Sequence, residues 1–260
     1  MDIKKISTVF FSPTKSTKNI LSLIGKDFPL PLNEIDITPP STITKNIKFS
    51  NNELVIFGVP VYGGRIPKPA VKRIKNIKGN ATPTLLVVTY GNRDYDDALL
   101  ELKNIVEENG FFLVGAAAFI TKHSIMHSVA QGRPDRNDLK EIENFSKKAL
   151  RKIQNITNVN DLPLITVKGN FPYKEYNGIP LKPQGTKKCI KCLKCVENCP
   201  VNAISNDTPH RTNKNLCISC MRCVKICPTH TRKLNKLMLS IVEKSFAKKY
   251  TERKEPEIFI

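Results

Sequence analysis

The sequence predicts a doubly wound α/β domain on a five-stranded parallel sheet, followed by a small α+β module rich in cysteine. Three observations predict it. Short apolar runs alternate with one-sided helical patterns over residues 1–155. All eight cysteines lie between Cys189 and Cys227. Between these regions, residues 156–185 carry Pro163, Pro172, Pro180 and Pro183 with Gly169, Gly178 and Gly185, which break both periodicities and read as a connector.

The elements follow in order. Ile6 to Phe11 is a buried-strand run stopped by Ser12-Pro13. Ser16 to Lys26 reads as a helix ended by Gly25, and Glu34 to Ile37 as a short strand. Thr38 to Asn52 predicts no helix. Leu54 to Val59 is a second strong strand. Pro69 to Ile77 places Val71, Ile74 and Ile77 on one helical face. Thr84 to Thr89 is a strand, Asp96 to Asn109 a helix with acids first and Gly110 as its stop, and Phe111 to Ile120 a strand. Asp138 to Gln154 is an amphipathic helix whose Asp138-x-x-Glu141 resembles a capping pair. Right-handed crossovers then put helices on both faces of a parallel sheet. The cysteine module occupies 186–230. A basic helix from Leu234 to Lys249 and a polar tail from Thr251 fill 231–260.

No secretory leader is legible, because Ile6 to Phe11 is too short for an apolar leader core. The longest apolar run, Phe111 to Ile120, is about half the ~20 residues a membrane helix needs. A cytoplasmic protein without membrane insertion is expected. In that compartment clustered cysteines read as metal ligands rather than disulfides. The formal net charge is +19, of which +10 falls from Lys187 onward. No nucleic-acid recognition motif accompanies the charge, and no nucleic-acid partner is expected.

One internal repeat stands out. Cys189-Ile-Lys-Cys-Leu-Lys-Cys-Val-Glu-Asn-Cys-Pro recurs 28 residues later as Cys217-Ile-Ser-Cys-Met-Arg-Cys-Val-Lys-Ile-Cys-Pro. Each copy is C-x2-C-x2-C-x3-C-P. Three closely spaced thiolates can hold three irons of one cubane, while the fourth, beside Pro, ligates the other cluster. Cys189, Cys192, Cys195 and Cys227 are thereby assigned to one [4Fe–4S] cluster, and Cys217, Cys220, Cys223 and Cys199 to a second. Structural zinc is the alternative, but it needs only two C-x2–4-C pairs. The stretch resembles the bacterial two-cluster ferredoxins, including Cys-Pro-Val-Asn-Ala-Ile at 199–204. Those proteins often have Gly after the second cysteine. Leu193 and Met221 stand there, which is expected to alter the surroundings of the sulfurs but not the ligand set.

Three loops at carboxyl ends of strands form a second constellation. Ser12-Pro13-Thr14-Lys15-Ser16-Thr17 precedes a helix, where hydroxyls and free amides make an anion site; an ordinary helix cap is the alternative. Pro60-Val61-Tyr62-Gly63-Gly64-Arg65 and Thr89-Tyr90-Gly91-Asn92-Arg93-Asp94-Tyr95 lie beside the switch point where open α/β sheets bind ligand. The loops resemble the FMN-binding loops of flavodoxins over residues 3–154. The resemblance implies FMN, with Ser12, Thr14, Ser16 and Thr17 on its phosphate, Lys15 in place of the usual Gly, and Asn92 where Asp is frequent. It implies Tyr95 as the ring-stacking aromatic and Tyr62 as the second wall.

The whole chain resembles the flavodoxin–ferredoxin fusion family of anaerobic microbes. Val-Pro-Val-Tyr-Gly-Gly at 59–64, Gly-Arg-Pro at 132–134 and Arg-Lys-Glu-Pro-Glu at 253–257 fit it. The resemblance implies an electron-transfer protein carrying FMN and two [4Fe–4S] clusters. An FMN-dependent oxidoreductase fed by the clusters is the main alternative, and a nucleic-acid-binding redox sensor a minor one. The basic surface around Lys187, Lys188, Lys191, Lys194, Arg222 and Lys225 predicts an acidic redox protein as partner. His123 and His127 stand four apart without the Glu of a His-Glu-x-x-His zinc motif, and either borders the flavin edge at most.

Overall fold

The computed structural model describes residues 2–44, 46–156 and 163–260. The chain runs β1 (Lys5–Phe10), α1 (Ser16–Lys26), β2 (Leu32–Asp36), a 3₁₀ turn (Pro40–Thr44), β3 (Ile47–Lys48), β4 (Glu53–Pro60), α2 (Lys68–Ile74), β5 (Ile77–Lys78), β6 (Thr82–Tyr90), α3 (Ala98–Glu108), β7 (Phe111–Ile120) and α4 (Arg136–Asn155). Then come α5 (Lys194–Glu197), α6 (Arg222–Lys225), α7 (Lys236–Lys249) and β8 (Glu257–Phe259). The main sheet has the order β2-β1-β4-β6-β7-β8. Its first five strands are parallel. Renumbered among themselves they read 2-1-3-4-5, the flavodoxin-like doubly wound order, with its switch point between β1 and β4.

Each face of the sheet carries its own core. Phe11, Phe57, Leu99, Leu102 and Ile74 pack on the side of α2 and α3. Ile20, Ile24, Phe119, Phe145 and Ile153 pack on the side of α1 and α4. The central strand β6 is buried at every position, as a strand covered on both faces must be.

Several local expectations are corrected. Gly25 does not stop α1; the helix continues to Lys26, and a Cβ at Gly25 would meet Leu32 Cδ2 at 2.7 Å, so the glycine serves close packing. Ile77 leaves the helical face and pairs with Ile47 in the two-stranded β3–β5 ladder. The N-cap of α4 is Asp135, not Asp138. Its carboxylate accepts from Asn137 N and Asp138 N, and the Asp138 carboxylate in turn accepts from Asp135 N.

The segments between and after the modules are structural parts of the sheet domain. Residues 157–162 of the expected connector lie outside the described residues. Further along it, Val167 enters the core, and the Asp97 carboxylate accepts from Asn170 N at 2.8 Å and Lys174 N at 2.7 Å. The tail expected to be merely polar forms β8, antiparallel to β7. Arg133 of the Gly-Arg-Pro segment donates to Lys254 O at 3.0 Å, so two sequence-remote motifs hold each other. Leu239, Val242 and Phe246 of α7 pack against Ile125, Met126, Val129, Leu181 and Met221. Among the described residues no helix is long and apolar enough to cross a membrane.

Candidate functional site

The carboxyl ends of β1, β4, β6 and β7 open into two adjoining compartments. The first is lined by Ser12, Pro13, Thr14, Ser16, Thr17, Pro60, Thr89, Thr121 and Lys122, with no carboxylate among its lining residues. Lys15 is left-handed (φ 70°), so the turn that glycine usually makes survives its replacement. Ser12 Oγ accepts from Lys18 N at 3.0 Å, and Thr17 Oγ1 meets Thr89 Oγ1 at 2.7 Å. Thr14 and Ser16 hydroxyls lie 3.4 Å apart at the mouth of α1, whose first-turn amides have no intrahelical acceptor. Hydroxyls, amides and one ammonium without an acid suit a phosphate monoester.

The second compartment, a cavity of about 240 Å³, shares Val61, Tyr62, Tyr90, Gly91, His123 and Ser124 with the first. Its further walls are Gly63, Asp94, Met126, Tyr176, Phe246 and the pair Ile218–Ser219. Two glycines keep it shaped. A Cβ on Gly63 (φ 61°) would fall 2.1 Å from Tyr176 Cδ2, and one on Gly91 2.5 Å from His123 Cδ2. His123 Nδ1 accepts from Ile125 N and Met126 N at 3.1 and 2.9 Å. Burial, helped by His127, lowers its pKa to about 4, so the ring is neutral and its proton sits on Nε2. Burial pushes the Tyr62 phenol up, with Cys220, Tyr176 and Cys217 adding to the effect. Ser219 Oγ is buried without a protein partner among the described residues. An apolar slot with tyrosine walls next to a phosphate cradle fits a flavin mononucleotide.

Three residues expected at this site stand elsewhere. Tyr95 is fully buried in the core on the α2–α3 side; its hydroxyl donates to Glu257 Oε2 at 2.6 Å and Lys168 Nζ covers its ring. Asn92 donates to the carbonyls of Tyr250 and Glu252, both at 2.8 Å, and clasps the tail. Gly64 packs against Asp96. Asp94 does line the cavity, but is ion-paired with Lys168. Tyr176 supplies the wall that Tyr95 does not. His123, Ser124, Tyr176, Ser219 and Phe246 come from segments with no shared periodicity, and only the bordering position of His123 was legible.

The cysteines fall into two groups, each drawn from both copies of the repeat. One cavity is lined by Cys189, Cys192, Cys195 and Cys227 with Pro209, Thr229, Thr231 and Arg232. Another is lined by Cys199, Cys217, Cys220 and Cys223 with Val201, Ala203, Ile204, Ile218 and Met221. All eight are free thiols. No group of three or more His, Cys, Asp or Glu side chains among the described residues is spaced to hold a single metal ion; the four cysteines of each set line a cavity. Burial pushes the Cys220 thiol far up and Cys223 to about 11. Burial also opposes ionisation of Cys227, but bonds from Thr231, the Arg232 backbone and Thr229 bring it down to about 6. Cys220 and Cys223, held neutral by burial, would ionise beside a cation, which the iron of a cubane would supply. Leu193 (φ 59°) and Met221 (φ 61°) are both left-handed, which explains why glycine is common at these positions.

Arg73 ties the two modules together. Its guanidinium donates to Ile37 O and Thr38 O of the sheet domain at 2.8 and 2.7 Å, and to Pro200 O beside Cys199 at 2.5 Å.

Residues 188–231 match the 4Fe-4S dicluster domain family. No curated protein matches the chain. Among solved structures, a flavodoxin from the domain Archaea is 12% identical and covers 58% of this chain and 99% of its own, with a TM-score of 0.41. The flavodoxin of Streptococcus pneumonia TIGR4 is 13% identical over 57% and 99%, at 0.41. Oxidised Flavodoxin 2 from Bacillus cereus is 18% identical over 57% and 99%, at 0.40. The flavodoxin-like assignment rests on the strand order of the sheet itself. One polypeptide thus joins a flavodoxin-like α/β domain to a 4Fe-4S dicluster domain.

Proposed function

We propose that the protein is an electron carrier that binds FMN in the cavity at the carboxyl ends of the strands and two [4Fe–4S] clusters in its cysteine module. One observation carries the reading: Ile218 and Ser219, which lie between the ligands Cys217 and Cys220, are also a wall of the Tyr62–Tyr176 cavity. FMN exchanges one or two electrons and each cluster one, so together they convert between pair and single transfers.

The residues of the chain divide this work. Ser12 to Thr17 hold the phosphate, and Tyr62 and Tyr176 bracket the ring. Cys217, half-buried, and Cys220, buried, flank the Ile218–Ser219 wall. At the opposite site Cys192 is exposed beside Ile190, itself 62% exposed, among the exposed Lys187, Lys188, Lys191 and Lys194. This face receives an acidic redox protein. The path then runs from partner to exposed site, buried site and cavity, or in reverse.

Protein prepared without oxygen is expected to hold about eight irons and eight sulfides, with one acid-released FMN, per chain. Zinc without sulfide would overturn the cluster assignment. Thr17→Ala weakens FMN by about 1–3 kcal/mol, the cost of leaving a charged oxygen short of a donor. Riboflavin, which lacks the phosphate, is nearly indifferent to the change. Equal losses for both flavins would make the loop a helix cap only.

A further inference from the structure

Arg232 follows the last cysteine run by five residues, and its side chain is 2% exposed. Nη1 donates to Pro209 O at 2.6 Å and lies 3.8 Å from Cys195 Sγ. Nη2 donates to Thr212 Oγ1 and, at 3.4 Å, to Pro183 O, while Nε has no protein partner among the described residues. Every acceptor is neutral or a cysteine sulfur, and no carboxylate pairs with it among the described residues. The guanidinium reaches both cysteine sets: it lines the cavity of the first beside Cys195, and its acceptors Pro183 and Thr212 line the cavity of the second. A guanidinium stays charged at all working pH values. Burying one without a carboxylate is unfavourable unless some other negative charge compensates it. A cubane core held by four thiolates carries net negative charge, and each reduction adds one more.

We propose that Arg232 is the shared counter-charge of the two cluster sites, raising both reduction potentials by stabilising the added electron at either site. The inference rests on the two-cluster reading. Its physical basis is that net charge and hydrogen bonds at the sulfurs set cluster potentials.

The test is an EPR-monitored redox titration of the full-length protein, with iron and sulfide measured on the same samples. Arg232→Gln keeps a hydrogen-bonding head without charge, and both midpoint potentials should fall. Arg232→Lys keeps the charge but not the planar fork, and the potentials should stay near those of the parent. The shifts should persist in high salt, because a buried charge is poorly screened. If fully loaded Arg232→Gln titrates like the parent, or only one cluster moves, the proposal fails and Arg232 merely ties loops together. If the parent itself lacks two iron–sulfur sets, the two-cluster reading fails first, which the iron and sulfide figures reveal separately. If Arg232→Gln does not load, Arg232→Lys decides: loaded with both potentials lowered as far as a neutral residue would predict, it excludes the charge; loaded with parental potentials, it supports it.

Discussion

The two cysteine runs are near-copies in sequence and opposites in setting. The first site opens to solvent. Cys192 is exposed, Ile190 stands out beside it, and Thr229 and Thr231 hydroxyls reach Cys227 Sγ at 3.6 and 3.4 Å. The second site has no exposed cysteine, and Cys217 is half-buried. Cys199, Cys220 and Cys223 are buried, Arg73 clamps Pro200 to the sheet domain, and Ile218 and Ser219 face the flavin-sized cavity. A repeat sets ligand geometry, whereas the elements packed on it set access, polarity and neighbours. The two sites thereby become the outer and the inner station of the proposed path.

The sharpest way to break this comparison is to remove one ligand from each station. Cys220→Ala should halve the iron content and also weaken FMN, because the wall residues next to it lose their anchor. Cys192→Ala should cost iron but leave FMN affinity unchanged. Iron, sulfide and flavin assays on anaerobic protein read both, and equal flavin loss in the two variants would show that the stations are not differently placed.

A second contrast uses the left-handed residues. Leu193→Gly removes backbone strain of about 1–2 kcal/mol at a half-exposed position and should be neutral to mildly stabilising. Met221→Gly removes the same strain, but also a side chain packed on Ile125, Met126 and Leu181, which costs about 2–5 kcal/mol. Its net effect should be destabilising by about 1–3 kcal/mol. Rates of iron release in denaturant measure the difference, and a stabilised Met221→Gly protein would contradict a packing role for the methionine.

The smallest effect expected is electrostatic. Lys191→Glu with Lys194→Glu reverses charge beside the outer station only. Reduction by an acidic ferredoxin in a stopped-flow instrument should slow about tenfold at low salt, and the difference should fade above ~0.2 M, where screening shortens the reach of surface charge. A rate indifferent to both salt and reversal would leave this face without a docking role.

Much of the fold was legible because it is written locally. The apolar runs at 6–11, 54–59, 84–89 and 111–120 became β1, β4, β6 and β7, since a strand buried on both faces needs unbroken apolar sequence. The 3₁₀ turn at Pro40–Thr44 and the strand β8 were not legible. Five and three residues leave no period to read, and β8 exists only because β7 offers it a free edge. Asn92 and Tyr95 show the same limit. Both sit in a loop of the expected type, yet the returning tail claims their polar atoms at Tyr250, Glu252 and Glu257.

By itself the sequence determined the candidate ligand set, the crosswise grouping of the cysteines, the alternating architecture and the residues of the first loop. Each of these depends on spacing within a few residues, where chain geometry leaves little choice. The tertiary structure alone decided which cysteine set has an exposed member, that Tyr176 rather than Tyr95 walls the cavity, and that Arg232 reaches both sets. These depend on side chains from distant segments meeting in space. That meeting is governed by core packing and by the pairing of buried polar groups, neither of which leaves a periodic mark on the chain.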